Sequence, residues 1–352
     1  MYPKVSIVIL NWNGWKDTIE CLKSLYQIEY PNYDIILVDN ASSDDSIEKI
    51  RQNLIKSDFN GNNLENNLIK IFEYTKKESE KITEPEDYSK LSPDKRLILI
   101  KNDKNDGFAE GNNVGIRSAL KAFQPKYILL LNNDTVVTKN FLNELVESSE
   151  GNENIGICGP KVLYYGKPNI INSAGNRIIW HLGAGVNTGM GEIDKGQYKQ
   201  TSDVDYLIGA CILIKSSLIK ECGLLDNQLF LLFEEADFCL RAKRAKYNLL
   251  FYPKSVIYHK EGISGELSPL KLYYMYRNRL IILKKHQRPV KVLIYSLNIS
   301  LRTLVITFYY TLKGDTKYSK YIIKGYLDGL RYFFRKNCDL RENEAIKIIN
   351  GK

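Results

Sequence analysis

One repeated unit dominates the first 260 residues of this chain: a short β-branched apolar run stops at a cluster of Asn, Asp or Gly, and a stretch with helical spacing follows. Val5 to Leu10 runs into Asn11, Trp12, Asn13 and Gly14, and Ile19, Leu22 and Leu25 then recur at helical intervals. Ile35 to Val38 runs into Asp39 and Asn40, ahead of a helix capped by short polar residues from about Ser46. Leu97 to Ile100 and Tyr127 to Leu131 are the third and fourth runs, with a helix expected between them from about Asn112 to Ala122. Strand and helix alternating in this way predict an α/β fold with a mostly parallel, doubly wound sheet.

Two stretches depart from the pattern. Residues 56–95 contain FNGNNLENN and KKESEKITEPED, too polar to order themselves by burial, and are expected to be a surface insertion. Past residue 260 the chain turns helical and aromatic, so the expected division is 1–260 for the α/β domain and 261–352 for a helical region. Charge divides at the same place. The whole chain has a net charge of +9, yet residues 260–352 alone hold 19 Lys or Arg against 7 Asp or Glu, which leaves the α/β part slightly acidic. In the helical region Val290, Leu293, Leu297, Leu301, Leu304 and Phe308 fall at three- and four-residue spacing. Lys291 and Arg302 interrupt the run, so the expectation is a helix lying in a membrane interface, or packed on the core or on a second copy, rather than one that spans. The Tyr- and Phe-rich apolar pattern favours a lipid surface over nucleic acid. Six cysteines with no CxxC pair and an N-terminus without a basic leader point to reduced thiols and a cytoplasmic protein, peripheral on the cytoplasmic face if the helices bind membrane.

In an open α/β sheet, ligands bind beyond the C-terminal ends of the strands, where the Asn and Asp clusters fall. After the third strand comes NDGFAEGNNVG (105–115), whose Gly107, Gly111 and Gly115 would let backbone approach a ligand closely. It is not GxGxxG, which counts against a dinucleotide cofactor. Each cluster taken alone is also what a turn or helix cap requires.

In order along the chain, VSIVILNWNG, ILVDNASSDDS, NDGFAEGNNVGI, YILLLNNDTVV, VDYLIGACILIKSS, GLLDNQLFLLFEEADFCLRAKRAKYNLLFYPKSVIYH and YRNRLIILKKH resemble the landmarks of glycosyltransferase family 2, most closely its rhamnosyltransferase-like branch. The resemblance covers about residues 4–286 outside the insertion. It implies a GT-A fold and an inverting transfer of a sugar, rhamnose by the branch resembled, from a nucleotide-sugar donor to a hydroxyl of a glycan or lipid-linked glycan.

The resemblance also implies site residues. Asp39 would meet the base or ribose of the donor, with Asn11 and the loop of Gly107, Phe108, Asn112 and Asn113 completing that pocket. Asn132, Asn133 and Asp134 align with the family's DxD-like motif, and Asp134 would hold a divalent cation, Mg²⁺ or Mn²⁺, on the diphosphate. Asn132 stands where many relatives have Asp, so one negative charge is missing. His259, closing VIYHKEG, is a further metal ligand in some relatives and would favour Mn²⁺; His181 and His286 have weaker cases. FEEADFCLRAK resembles the family's acidic helix start. Glu235 would be the catalytic base with Asp237 its rival, and Glu234 would join the substrate-binding set with Gly209 and Ala210, whose small size leaves room for a sugar ring. Arg241 and Arg244 would pair with these acids or with the diphosphate. Trp180 could stack on a sugar, whereas Trp12 and Trp15 fit core packing. The alternative is a catalytically decayed, membrane-associated glycan-binding or scaffold protein; a homo-oligomer is compatible with either.

Overall fold

The computed structural model describes residues 2–56, 68–260 and 268–334. FNGNNLENN and Cys338 lie outside them. The first half of the chain runs β1 (Val5–Asn11), α1 (Trp15–Leu25), β2 (Tyr33–Asp39), α2 (Ser46–Lys56), β3 (Lys70–Thr75), α3 (Lys76–Ser79), β4 (Arg96–Lys101), α4 (Gly107–Ala122) and β5 (Tyr127–Asn132). Then follow β6 (Thr135–Val137), α5 (Phe141–Glu150), β7 (Ile155–Tyr164), β8 (Lys167–Ser173), the hairpin β9 (Asn176–Ile179) and β10 (Ala184–Asn187), β11 (Ser202–Asp203) and β12 (Cys211–Lys215). The α/β part ends with α6 (Ser216–Cys222), α7 (Glu234–Arg244) and β13 (Asn248–His259).

The main sheet has the order β11-β13-β7-β12-β5-β1-β2-β4-β3. Pairing is parallel from β3 through β5, whereas β12 runs antiparallel to both of its neighbours. Successive side chains of a strand point to opposite faces, and the apolar runs bury both. Val5, Ile7, Ile9, Ile35 and Leu37 meet α1, α2 and α5 in one core, while Val8, Ile36 and Val38 meet α4 and α7 in the other. The 56–95 stretch is more ordered than its composition suggests. Lys70–Thr75 adds a parallel edge strand to β4, and Ile82 and Tyr88 are buried against the sheet, with the Arg96 guanidinium 4.2 Å from the Tyr88 ring.

Helix α4 starts at Gly107, five residues earlier than its periodicity suggests, and lies unusually close to the sheet. A Cβ on Gly111 would stand 2.6 Å from a Leu10 methyl, and one on Gly115 would stand 2.4 Å from Val8 Cγ1. These two glycines therefore let the helix approach β1 rather than let backbone approach a ligand. Only Gly107 of the three lies at the site.

After β13 come α8 (Pro269–His286), α9 (Pro289–Leu312) and α10 (Thr316–Phe334). Helices α8 and α10 touch backbone to backbone, since a Cβ on Gly325 would stand 2.2 Å from the Tyr273 carbonyl oxygen and one on Gly329 would stand 2.9 Å from that of Arg277. Asp328, buried in the same contact, accepts from the Tyr273 hydroxyl at 2.9 Å. Helix α9 is, by length and composition, the one described helix long and apolar enough to cross a membrane, so the charges at Lys291 and Arg302 do not disqualify it on that criterion. It buries Ile299 and Thr303 and exposes Leu297, Leu301, Leu304, Val305 and Phe308.

The Gly115 contact gives a stability test. Gly115→Ala should lower the free energy of unfolding by about 1–3 kcal/mol through overpacking. Gly166→Ala, at a position with nothing within 4 Å, should change it by less than about 0.5 kcal/mol. Urea denaturation of both variants reads the difference.

Candidate active site

The site is assembled where β1, β2, β4 and β5 end. Parallel strands that stop together leave loop backbone needing partners, and side-chain amides, with two donors and an acceptor, supply them. The Asn11 amide donates to Asp39 Oδ2 at 2.7 Å and to Ser42 Oγ at 3.1 Å, and its oxygen accepts from Thr18 at 2.8 Å. Asp39 also accepts from the Ser42 backbone N–H at 2.9 Å and its hydroxyl at 2.6 Å. At 1% exposure, Asp39 lies beneath the surface and shapes the turn after β2. Its neighbour Asn40 faces the site, donating to Asn105 Oδ1 at 2.9 Å and the Gly107 carbonyl at 3.1 Å.

These loops enclose a cleft of about 220 Å³ walled by Trp12, Asn40, Phe108, Asn132, Asn133, Asp134 and Phe230, among others. Trp12 stands here 42% exposed instead of in a core, whereas Trp15 is partly buried against one. Asn112 and Asn113 do not line the cleft. Asn112 donates to the Phe108 carbonyl within its own helix at 2.9 Å, and Asn113 forms a two-way clamp with the Leu225 backbone, donating at 2.9 Å and accepting at 3.0 Å.

Asp134 and His259 meet because β6 pairs with the end of β13, setting Thr135 opposite His259. His259 Nε2 lies 3.2 Å from Asp134 Oδ1, and the Lys260 N–H donates to the Asp134 carbonyl at 2.9 Å. Burial pushes the Asp134 carboxyl up, but the hydrogen bond and charge of His259 outweigh it and the net shift is downward. Among the described residues no three His, Cys, Asp or Glu are grouped closely enough to hold a metal by themselves. A carboxylate and an imidazole side by side at an open cleft fit a divalent cation whose remaining ligands come from phosphate oxygens. His181 is exposed on the turn after β9, and His286 is buried elsewhere.

The opposite wall is the segment 228–233, which enters α7. Phe230, Leu232 and Phe233 have φ of 59°, 70° and 73°, the left-handed region that costs a side-chain-bearing residue about 1–2 kcal/mol each. Asn278 of α8 holds it there: its amide nitrogen lies 2.9, 2.9 and 2.8 Å from the carbonyl oxygens of Leu229, Leu231 and Leu232. Arg277 donates to the Gln228 carbonyl beside it. The Phe230 carbonyl in turn accepts from the Phe108 N–H at 2.6 Å and the Ala109 N–H at 3.3 Å, which satisfies donors that the first turn of α4 leaves free. A Cβ on Gly107 would stand 2.6 Å from the Phe230 ring and carbonyl, so that position needs glycine.

The three acids of α7 face three environments. Asp237 is fully buried, with Arg241 Nε at 2.8 Å, His286 Nε2 at 2.8 Å and Lys285 Nζ at 2.6 Å. Burial pushes its carboxyl up, but the His286 hydrogen bond and the Lys285 and Arg241 charges hold it far below the usual range. Glu234 is buried with Oε2 unpartnered, and burial followed by repulsion from Glu235 raises its carboxyl well above normal. Glu235 is half-buried, and desolvation pushes it up to about 7 against the pull of backbone N–H groups. Arg241 is engaged by Asp237 and by the Cys222 and Leu224 carbonyls, and Arg244 by the Lys285 carbonyl.

Glu235 opens into a second cavity of about 300 Å³, walled by Trp180, Tyr206, Leu232, Phe233, Met275 and Arg279, among others. The segment 228–233 separates cleft from cavity, with Leu231 on one side and Leu232 on the other. Gly209 joins them: a Cβ there would stand 3.8 Å from Phe108 Cζ and 3.9 Å from Glu235 Cβ. Ala210 is buried behind it, and its carbonyl accepts from the Asn132 N–H at 2.9 Å. Tyr206, Asn278 and Arg279 were not singled out from the sequence; each lies inside a segment that carries the family resemblance, VDYLIGACILIKSS for the first and YRNRLIILKKH for the other two.

The model of the family described as "Glycosyltransferase like family 2" matches residues 83–279, and that of "Glycosyl transferase family 2" matches residues 6–78. The low-salt glycan biosynthesis hexosyltransferase Agl10 of Haloferax volcanii is 25% identical over 53% of this chain, and the chain spans 59% of that relative's length. The dTDP-rhamnosyl transferase RfbF of Shigella flexneri is 27% identical over 69% of this chain and 81% of its own. Among solved structures, the mannosyltransferase PcManGT from Pyrobaculum calidifontis in complex with GDP-Man and Mn²⁺ superposes with a TM-score of 0.53 at 11% identity, covering 94% of this chain and 88% of that one. Its likeness establishes the GT-A fold.

The Glu235 environment predicts a pH-dependent stability. A carboxyl whose folded-state pKa is raised to about 7 binds its proton more tightly folded than unfolded. Its contribution is therefore complete below its unfolded value and is lost as pH rises through 7. Glu235→Gln should stabilise the protein relative to wild type at pH 8, by about 1 kcal/mol or more, and hardly at pH 4.5. Chemical denaturation at the two pH values measures it.

Proposed function

Because the chain belongs to glycosyltransferase family 2, we propose that it is an inverting glycosyltransferase, with its nucleotide-sugar donor in the cleft and its acceptor in the adjoining cavity. The observation that carries the reading is the position of Glu235, a carboxyl poised near neutrality at the wall between the two spaces. In a single displacement, Glu235 accepts the proton of an acceptor hydroxyl as that oxygen forms a bond to the anomeric carbon, and the bond from that carbon to the diphosphate breaks on the opposite face. Asp237, ion-paired on all sides and fully buried, keeps α7 and α8 in place and is not the base. Glu234, held protonated, adds no second negative charge at neutral pH.

Asp134 and His259 would hold a divalent cation, Mn²⁺ in preference to Mg²⁺, which supplies positive charge against the leaving diphosphate. The exposed Trp12 and half-buried Phe108 offer faces to the nucleoside, with Asn40 in contact and Asp39 acting through the turn it organises. Rhamnose from dTDP-rhamnose is the donor that the Shigella relative supports.

The same proposal assigns helix α9 to a lipid surface, a reading supported by its exposed apolar face. Residues 289–334 carry seven Lys or Arg and two Asp, one of them the buried Asp328, so the exposed apolar face is framed by charge that suits anionic headgroups. The midpoint residue Ile299 packs against Trp180 and Gly183 of the catalytic half. That contact favours a helix lying along the interface over one crossing it, since a crossing helix would carry this contact into the hydrocarbon.

Glu235→Gln should lower turnover about 10² to 10⁴-fold with donor affinity retained, and the wild-type rate should fall about tenfold per pH unit below 7 as the base is protonated; full turnover in the variant would remove Glu235 from the role. Asp134→Ala should abolish the Mn²⁺ dependence of donor binding, read by calorimetry across a panel headed by dTDP-rhamnose. Leu297→Glu combined with Leu304→Glu should release the protein from vesicles containing anionic lipid in a flotation assay.

A further inference from the structure

Next to His259 in the chain stands a lysine whose charge cluster the reaction just described leaves without a task. The Lys260 ammonium lies 2.7 Å from Asp17 Oδ1 and 2.5 Å from Glu20 Oε2, two acids three residues apart on one face of α1. It also lies 5.4 Å from the centre of the Tyr165 ring, and the Tyr165 hydroxyl donates to the other carboxylate oxygen of Glu20. None of these four side chains lines the cleft or the cavity.

The main chain ties this cluster to both proposed cation ligands. The Lys260 N–H donates to the Asp134 carbonyl at 2.9 Å, and the Tyr165 N–H donates to the His259 carbonyl at 2.9 Å. Helix α1 also holds the turn that carries Asp134. The Asn133 amide donates to the Thr18 hydroxyl at 3.0 Å, and the Cys21 sulfur lies 3.7 Å from the Asn132 carbonyl oxygen. Asp134 is therefore referred to α1 through Thr18 and Cys21, and His259 to the same helix through Lys260 and Tyr165. With one carboxylate and one imidazole as the protein's share of the ligands, cation affinity depends on how well the pair is held at its spacing.

We infer that Lys260 is a positioning residue for the divalent cation: by gripping Asp17 and Glu20 it fixes the His259 end of β13 on α1, the helix that holds the Asp134 turn. Carboxylate and imidazole then stay at the separation that one ion bridges. The inference rests on the proposed assignment of Asp134 and His259 to that ion. Charge by itself argues the opposite, because an ammonium beside His259 repels a cation and its removal frees two carboxylates that attract one. Positioning and charge thus predict changes of opposite sign when Lys260 is neutralised.

Mn²⁺ titrated into the full chain without donor, with the free aqua ion counted by electron paramagnetic resonance, reads the sign. Lys260→Met should weaken Mn²⁺ binding about fivefold, less than the roughly 10- to 100-fold typical of removing a group bonded to the ligand itself. Lys260→Arg, whose guanidinium also spans two carboxylates, should stay within about twofold of wild type. Tyr165→Phe removes one link without changing any charge, at a position 43% exposed. It should weaken binding about twofold, and it serves where the methionine variant does not fold. In a chain already carrying Asp17→Asn and Glu20→Gln, Lys260→Met should cause no further loss, since the contacts it removes are gone. Unchanged or tighter binding in Lys260→Met would overturn the assignment, as would an equal loss in the Asp17→Asn, Glu20→Gln background or unchanged binding in Tyr165→Phe. Failure of the cation reading itself would register separately, as Mn²⁺ binding unaffected by Asp134→Ala, and the role of Lys260 would fall with it.

Discussion

The clamp that Asn278 places on segment 228–233 is the contact on which the rest of the site depends. Three residues with side chains sit there in left-handed backbone, an arrangement that would relax without outside support. One amide group from α8 reaches the carbonyls of Leu229, Leu231 and Leu232 and supplies it. From that single constraint follow the cap on α4, the glycine at 107, the partition between cleft and cavity, and the direction in which α7 sets out. The helical region is thereby part of the catalytic unit, because the residue that shapes the site comes from beyond the end of β13.

Three acids in four residues at the start of one helix illustrate how surroundings, and not residue type, assign a role. Successive helical positions point about 100° apart, so Glu234, Glu235 and Asp237 cannot share an environment. Asp237 turns inward to two cations and His286, which holds it ionised; Glu234 turns inward to nothing, which holds it neutral; Glu235 turns to a cavity, which leaves it near its midpoint. Asp134 and His259 show the complementary case, in which a short strand pairing brings together groups far apart in the chain.

Much of this was legible in the residues. Runs that are apolar at every position can only be strands buried on both faces, and the Asn and Asp clusters that end them fall at one edge of the sheet, as the parallel arrangement requires. Asn11, Asn132 and Asp134 were marked in this way, whereas Glu235 and His259 were marked by the family resemblance. Other expectations changed once contacts were known. Gly111 and Gly115 serve the approach of α4 to β1, Trp12 stands in the cleft, Asn112 and Asn113 are tied into backbone, and part of the polar 56–95 stretch completes the sheet edge. A one-dimensional pattern distinguishes buried from exposed, but not which neighbour lies against a buried residue.

The sequence by itself determined the strand–helix alternation of β1, β2, β4 and β5, their parallel arrangement and the strand ends that form the cleft, because these follow from local periodicity and from the chirality of strand–helix–strand connections. The tertiary structure alone decided which acid is held ionised and which neutral, and why Gly107 must be glycine. These depend on groups far apart in the chain, and burial, unlike periodicity, is set by what the distant chain brings into contact.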